Sequence, residues 1–448
     1  MKISIVGTGY VGLVSGVCLA ERGHQVVCVD RDRAKVELIN SGKSPIFEKG
    51  LDALLQKNLG RGFAATTELA RAVIDSDLTL IAVGTPFDGQ RIDLSAIRQV
   101  AREIGAVLKD KVGYHVVVVK STVVPGTTDD VVLPLLEEAS GKKADADFGV
   151  GMNPEFLREG EAIGDFMQPD RIVYGGVGER SLRFLRELYG IFPGVDVVET
   201  NCRTAEMIKY TANSLLAAMI SFSNEIANLC TATGGVDVME VTKAVHLDRR
   251  LSPLLPDGRV TPAFTTYIQP GCGFGGSCFP KDVKALIEYG REKGSPMRML
   301  ESVVDVNEAQ PERLIDLLKM HFSSLNAVRV VVLGFAFKPG TDDIRESPAL
   351  KVAYRLLEEG AQVSGFDPIA QTQAEKVFGP GAIDFQPDLS TAISNVDAIV
   401  IVTRWTEFEA IPAMLKTIQS PQPVVIDGRR MLDKSSVARY EGIGLRRF

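Results

Sequence analysis

The chain opens on a pattern that few folds accommodate. Ile3 to Val6 is a short apolar run, Gly7-Thr-Gly9-Tyr10-Val11-Gly12 follows at once, and a helical stretch continues to Arg22. Gly23 ends that stretch, and Gln25 to Val29 is a second apolar run closing on Asp30. Strand, glycine turn, helix, strand and acid in this order describe a β-α-β unit that receives a dinucleotide. The helix N-terminus offers its N–H groups and dipole to a pyrophosphate. Asp30 is expected to accept from the adenosine ribose hydroxyls; an acid there disfavours a 2′-phosphate, so the expected cofactor is NAD rather than NADP. Lys35 is either a second contact on the adenosine side or a solvated surface lysine.

The doubly wound pattern continues through residue 200 or so. Leu78 to Val83 reads as a strand ending in Gly84-Thr85-Pro86, and Val116 to Val119 as another ending in Lys120-Ser121-Thr122. Ligands of open α/β sheets bind beyond the carboxyl ends of the strands, so Thr85 and Thr122 are expected to face the cofactor. The plainer alternative is that their hydroxyls cap turns. Phe148 to Met152 is a further strand, followed by Asn153-Pro-Glu155-Phe156-Leu157-Arg158-Glu159-Gly160. Glu155 and Glu159 would share one face if that segment were helical.

Arg203 to Thr233 contains neither proline nor glycine and predicts one helix of about thirty residues, near 45 Å long. Its apolar positions run nearly all the way round, which predicts burial on several sides and a role as spine and dimer surface. Lys209 and Asn213 are one turn apart on it. A lysine there needs a paired charge if buried; otherwise it snorkels to the surface. Leu251 to Gln269 is irregular, with prolines at 253, 256 and 262, and reads as a covering or subunit-contact loop.

Gly273 to Asp282, G-F-G-G-S-C-F-P-K-D, is the second constraining string. Its glycines lack a Cβ and let backbone pass close to a ligand. Pro280 opens the periodic run Val283 to Tyr289, which is expected to stop at Gly290. Cys278 then stands at a helix N-terminus, where the dipole, N–H groups and nearby Lys281 favour a thiolate. It is a candidate nucleophile.

From Val328 the first unit is echoed: strand to Leu333, Gly334, helix to Glu359, and a strand ending at Asp367. The glycine fingerprint is degraded, so a nucleotide-binding shape is expected whose main ligand is not NAD. Lys338 and Arg345 lie in its first strand-to-helix connection, suited to phosphate or carboxylate. The expected fold is therefore α/β, with two Rossmann-like doubly wound domains joined by a long central helix. The boundaries are 1–200 for the NAD domain, 201–315 for the central helical domain with the cysteine loop, and 320–448 for the second nucleotide-binding domain.

A chain of 448 residues needs two or three cores. Its net charge of −7 argues against nucleic acid or anionic membrane as main partners. No apolar run long enough to span a bilayer is evident, and the first residues already read as a strand, so no secretion signal is expected. Six cysteines without C-x-x-C pairs and four scattered histidines fit a reducing cytoplasm without a structural metal.

Together, G-T-G-Y-V-G, V-G-T-P, K-S-T-V, N-P-E-F-L-R-E-G, the K-x-x-x-N of Lys209 and Asn213, G-F-G-G-S-C-F-P-K-D and F-K-P-G-T-D-D-I-R-E-S resemble the nucleotide-sugar 6-dehydrogenases nearly end to end. The resemblance implies oxidation of a sugar C6 alcohol to a carboxylate with two NAD+, through a thiohemiacetal and a thioester on Cys278. It implies oxyanion stabilisation by Lys209 and Asn213, a water held by Thr122 and Asp282, and thioester hydrolysis assisted by Glu155. By the same resemblance Gly7, Gly9, Tyr10, Val11, Gly12, Asp30, Lys35, Thr85, Thr122, Glu159, Lys281 and Arg345 contact the cofactor. The substrate set is Glu155, Phe156, Leu157, Arg158, Glu159, Lys209, Asn213, Tyr267, Ile268, Gln269, Pro270, Gly271, Gly275 and Lys338. A nucleotide-sugar substrate and a homodimer through the central helix are implied.

Two departures stand out. An Arg-Ile-Gly string that many UDP-glucose members carry before the cysteine loop is absent, and Arg259-Val-Thr-Pro lies further upstream. Ser140-Gly-Lys-Lys and Phe148-Gly-Val-Gly resemble GDP-mannose members, whereas Gln168-Pro-Asp-Arg-Ile-Val and Cys278-Phe-Pro-Lys resemble UDP-glucose members. UDP-glucose is the favoured substrate, GDP-mannose or another nucleotide sugar the alternative. A two-electron dehydrogenase using Lys209 alone and a non-catalytic nucleotide sensor are the rival classes.

Overall fold

The computed structural model describes residues 1–417 and 421–446. The chain divides into two compact units, Met1–Ala212 and Asn213–Phe448.

The first unit is built on eight strands: β1 (Lys2–Val6), β2 (Gln25–Val29), β3 (Phe63–Thr66), β4 (Leu78–Ile81), β5 (Val116–Val119), β6 (Gly149–Met152), β7 (Arg171–Val177) and β8 (Asp196–Thr200). Their order is β3-β2-β1-β4-β5-β6-β7-β8, and neighbours run parallel except β6 and β7. The central strands are almost wholly apolar because both faces are covered, and the buried Ser4 and Thr79 hydroxyls bond to each other at 2.7 Å. Leu78, Leu80, Val116 and Val118 pack with Leu13 and Val14 of the Tyr10–Glu21 helix. The alternate residues Ile81, Val117 and Val119 pack with Ile97 and Ile104 of the Ser95–Asp110 helix on the other face. The strand order reverses between β1 and β4, which opens a crevice at the carboxyl ends.

The central helix runs Cys202–Thr233, 32 residues without a break, as its composition predicts. It is buried on several sides, as Tyr210, Asn213, Ala217, Ser223, Asn224 and Ala227 show, but one stripe is left open. Leu215, Phe222 and Leu229 are 60%, 65% and 62% exposed, and their seven-residue spacing aligns them on one stripe. The helix is also long and apolar enough to cross a membrane, contrary to the expectation that no such run exists; one third of its apolar window is buried within the chain. The discrepancy arises because the four charges Arg203, Glu206, Lys209 and Glu225 are spaced widely enough to leave a long weakly charged stretch.

The second unit begins with the rest of this helix. A short hairpin, β9 (Leu254–Leu255) and β10 (Gly258–Arg259), interrupts the segment that composition marks as irregular. Six strands then form a parallel sheet: β11 (Arg329–Leu333), β12 (Gln362–Phe366), β13 (Asp384–Phe385), β14 (Ala398–Ile401), β15 (Val424–Asp427) and β16 (Tyr440–Gly442). Their order is β13-β12-β11-β14-β15-β16, with the same reversal beside the first strand as in the N-terminal sheet.

Candidate active site

Each glycine of the first turn has its own reason. Gly7 has φ +105, and a Cβ on it would lie 2.6 Å from the Ala82 carbonyl oxygen. A Cβ on Gly12 would collide with the Gly7 carbonyl oxygen at 1.9 Å, so this glycine lets the helix pack on the turn. Gly9 has open space where a Cβ would be, and it begins the Tyr10–Glu21 helix with no side-chain cap and no acid in the first turn. That is the cradle a pyrophosphate needs: turn, room, and N–H groups left for an anion.

Asp30 stands beside it at the end of β2. Its carboxylate accepts from the Thr8 N–H at 3.0 Å, the Thr8 hydroxyl at 2.5 Å and the Asp32 N–H at 3.0 Å. Burial would raise its pKa, but these donors and the Lys35 charge outweigh that and hold it below the usual carboxylate value. Lys35 itself is exposed, and Val11 is half-buried in the helix. Thr85 donates to the Thr122 carbonyl at 2.8 Å, so the two strand-end threonines are brought together.

Tyr10 is tied down by a residue that sequence reasoning missed. Its hydroxyl donates to Glu48, and Glu48 also accepts from the Gly160 N–H at 2.7 Å and the Ala162 N–H at 2.9 Å. Burial first and the Glu48 carboxylate second push the Tyr10 hydroxyl pKa far up.

The strand-end segment 153–158 is irregular, so Glu155 and Glu159 do not share a helical face. Glu155 is buried, and its Oε2 accepts from the Leu157 N–H at 2.6 Å. Its Oε1 lies 3.0 Å from the Lys209 ammonium, which is buried as well. Lys209 thus has the paired charge that burial demands and does not snorkel. Burial pushes the Glu155 pKa up, yet Lys209, the Leu157 N–H and Lys120 together bring it below its ordinary value. The Phe156 ring lies 5.5 Å from the Lys209 ammonium and 4.0 Å from the Arg171 guanidinium. Arg158 pairs with Asp165 at 2.6 Å and Glu161 at 2.8 Å on the exposed side, Leu157 is half-buried, and Glu159 is partly exposed.

In the second unit Cys278 is the N-cap of the Phe279–Glu292 helix, with Pro280 in its first turn. The helix runs past Gly290, which is buried where a Cβ would meet the Ser295 carbonyl oxygen and Met297 at 2.6 Å; that glycine serves packing and does not end the helix. The Cys278 sulfur is 3.5 Å from the Ser277 hydroxyl. Asp282, one turn on, is buried and accepts from Asn213 at 2.6 Å and Lys281 at 2.5 Å. Asn213 follows Lys209 by one turn on the central helix.

The glycine run before Cys278 has an internal cause. A Cβ on Gly275 would lie 2.2 Å from the Glu346 carbonyl oxygen, and one on Gly276 would meet the Phe337 ring at 2.7 Å. The chain's own Glu346 backbone and Phe337 ring thus lie against these two glycines. Gly271 is held between Asn224, which accepts from its N–H at 2.8 Å, and Gln310, which donates to its carbonyl at 2.9 Å. Gln269 accepts from Arg404 at 2.8 Å, Tyr267 is exposed, Ile268 is half-buried and Pro270 is buried. Lys338 is half-buried beside Phe337, and Arg345 pairs with Asp343 at 2.8 Å in the same loop. Arg259 donates to the carbonyls of Leu247 and Ser252 in its own segment.

Comparison with known proteins agrees with this geometry. The UDP-glucose/GDP-mannose dehydrogenase family is matched by its NAD binding domain over residues 1–193, its central domain over 203–309 and its UDP binding domain over 331–434. The UDP-glucose 6-dehydrogenase AglM of Haloferax volcanii is 42% identical over 450 residues, covering 99% of this chain and 100% of that one. A GDP-mannose 6-dehydrogenase of Pseudomonas putida is 40% identical over 454 residues, covering 99% and 100%. The solved UDP-glucose dehydrogenase of Pyrobaculum islandicum superposes with a TM-score of 0.89 at 38% identity, covering 99% and 97%. The chain belongs to the UDP-glucose/GDP-mannose dehydrogenase family and is an NAD-dependent nucleotide-sugar 6-dehydrogenase.

Proposed function

We propose that this chain oxidises UDP-glucose at C6 to UDP-glucuronate, and that Cys278 carries the sugar through the second oxidation. The observation that carries the reading is the place of Cys278. It caps a 14-residue helix, and it alone of the six cysteines, all among the described residues, is not buried. A sulfur there is favoured as thiolate.

Bound NAD supplies the hydride acceptor for each oxidation; the Gly9 cradle and Asp30 hold it, with Lys281, Glu159 and Arg345 in supporting roles. The alcohol loses a hydride and a proton to become an aldehyde. The Cys278 sulfur adds to that carbonyl, so the reactive aldehyde stays bound as a thiohemiacetal. Loss of the second hydride and a proton leaves a thioester, which water cleaves to the carboxylate and the thiol. Lys209 and Asn213 donate to the oxygen that becomes negative. Glu155, kept ionised by its neighbours, activates the hydrolytic water, and Thr122 and Asp282 hold the water used in proton transfer. Tyr267 to Gly271, Gly275, Lys338 and the Phe156-Leu157-Arg158 segment hold the sugar nucleotide. This assigns 1–200 to the cofactor, 201–315 to the chemistry and 320–448 to the nucleotide.

The test is stoichiometric. Wild type should form two NADH per sugar, and Cys278→Ala should lower turnover by roughly a hundredfold or more. A ratio near one, or near-normal turnover without the sulfur, would sink the thioester scheme. UDP-glucose and GDP-mannose belong side by side in that assay, because relatives named for both sugars are about equally similar to this chain.

We also propose a homodimer through the central helix. The exposed stripe Leu215, Phe222 and Leu229 supports it, since a second copy would cover these side chains at heptad spacing. Phe222→Glu should convert the dimer to a monomer in sedimentation; an unchanged mass would refute this interface. The absence of disulfides supports a cytoplasmic location.

A further inference from the structure

The reaction scheme leaves a buried lysine without a task. Among the described residues Lys120 and Lys209 are the two buried lysines. Lys120 directly follows β5, and Asn153 directly follows the neighbouring β6; the Asn153 N–H continues the ladder to the Val119 carbonyl at 2.9 Å. The Lys120 ammonium donates to the Asn153 side-chain oxygen at 2.8 Å. That oxygen also accepts the Tyr189 hydroxyl, and the amide nitrogen donates to the Val173 carbonyl at 2.7 Å. The amide is thereby fixed at both ends, and it offers Lys120 a neutral partner only. Two charged groups face Lys120: Glu155 from the loop after β6 and Lys209 from the central helix. Burial lowers its pKa to about 8, with Glu155 pulling up and Lys209 pushing down. Facing Glu155 in turn are Lys209, the Leu157 N–H and Lys120. One carboxylate therefore answers to two amines.

We propose that Lys120 is a positioning residue for the Glu155–Lys209 pair, supplying the counter-charge that keeps Glu155 ionised when Lys209 turns to the substrate oxygen. The inference rests on the function proposed for Cys278 and its neighbours. Lys209 bonds to Glu155 in this structure, yet it must donate to the developing oxyanion. Without Lys120 that turn would strand a buried carboxylate, which would take up a proton and cease to be a base.

Three substitutions separate charge from shape. Lys120→Gln keeps a donor for Asn153 and removes the charge; Lys120→Met removes both; Lys120→Arg keeps the charge. The readout is the ratio of variant to wild-type kcat as pH is lowered from about 8 to about 5. Losing a nearby opposite charge raises a carboxyl pKa by about 1–3 units, so the Gln and Met ratios should fall progressively, by about threefold or more, as the pH approaches 5. KM for NAD should stay within about twofold, and the Arg ratio should stay flat. A structural loss alone would lower kcat by one factor at every pH. Flat ratios for the Gln variant, or an Arg ratio that tilts as steeply, would overturn the inference while wild-type turnover upholds the reaction. Wild type that forms no NADH from either sugar nucleotide would overturn both.

Discussion

The two sheets of this molecule make the same turn and put it to opposite use. Gly7 donates to the Val29 carbonyl at 2.8 Å, and Gly334 to the Phe366 carbonyl at 2.9 Å. Both have positive φ, +105 and +89, and both press where a Cβ would strike the chain beyond the reversal strand, at Ala82 or Thr403. Even the far ends match: the Lys2 N–H donates to Asp77 and the Arg329 N–H to Asp397. The difference lies in the residues just after the glycine. In the first unit Thr8 and the open Gly9 come next, and Asp30 is half-exposed. In the second, buried Phe335 comes next, its ring 5.1 Å from that of Phe385. Asp367 accepts from the N–H groups of Phe335, Ala336, Ile369 and Ala370 and from the Trp405 indole. Asp30 takes three local donors and stays half-exposed, whereas Asp367 is buried and takes five. The same strand order thus carries an open first turn in one unit and a filled one in the other.

The sharpest way to break this comparison is to remove both acids. Asp367→Ala leaves five donors without an acceptor, four of them on buried residues, and each buried one costs about 1–3 kcal/mol. Partial relaxation should bring the loss to about 4 kcal/mol, read from the urea midpoint. Asp30→Ala should cost less, about 1–2 kcal/mol of stability, because Asp30 is half-exposed and has three donors, while NAD binding by fluorescence titration weakens roughly thirtyfold through a lost charge-assisted bond. Equal stability losses at the two positions would mean that the acids are equivalent and the comparison is wrong.

What is legible in the sequence is what local rules control. The glycine turn, Asp30, the unbroken central helix and the cap position of Cys278 each follow from neighbours within a few residues. Lys120 and Asn153 meet only because β5 and β6 are adjacent, and no spacing in the chain encodes that adjacency, although a lysine ending four valines is a signal to weigh. Glu48 carries no mark at all: it is a lone loop glutamate 38 residues from the tyrosine it holds. Strand β8, Asp-Val-Val-Glu-Thr, lies exposed at the sheet edge and has no buried face to impose alternation. The Glu155–Glu159 helix does not form because Pro154 precedes a tight turn closed by the Leu157 N–H on Glu155 itself. Glycines before a candidate nucleophile suggest close approach, but that the backbone of Glu346 lies against Gly275 is a long-range contact no local pattern encodes. Exposure on the central helix is hidden because an apolar residue facing solvent and one facing a core look alike in a single sequence.

Glycine replacements sharpen the same contrast with smaller effects. Gly334→Ala would force a Cβ to 2.4 Å from that of Thr403 at a φ that L residues avoid, so a loss of about 2–3 kcal/mol is expected. Gly9→Ala is the mildest change to the fold. Its φ of −69 and ψ of −173 suit any residue, and no atom lies within 4 Å of the new methyl group. Stability should move by less than about 0.5 kcal/mol, upward if the stiffer unfolded chain dominates. The methyl group would nevertheless stand in the space kept for the pyrophosphate, so NAD affinity should fall about tenfold or more with the urea midpoint unchanged. Undiminished NAD binding by a Gly9→Ala chain would show that this space is incidental, and the first turn would then be, like the second, a device of packing alone.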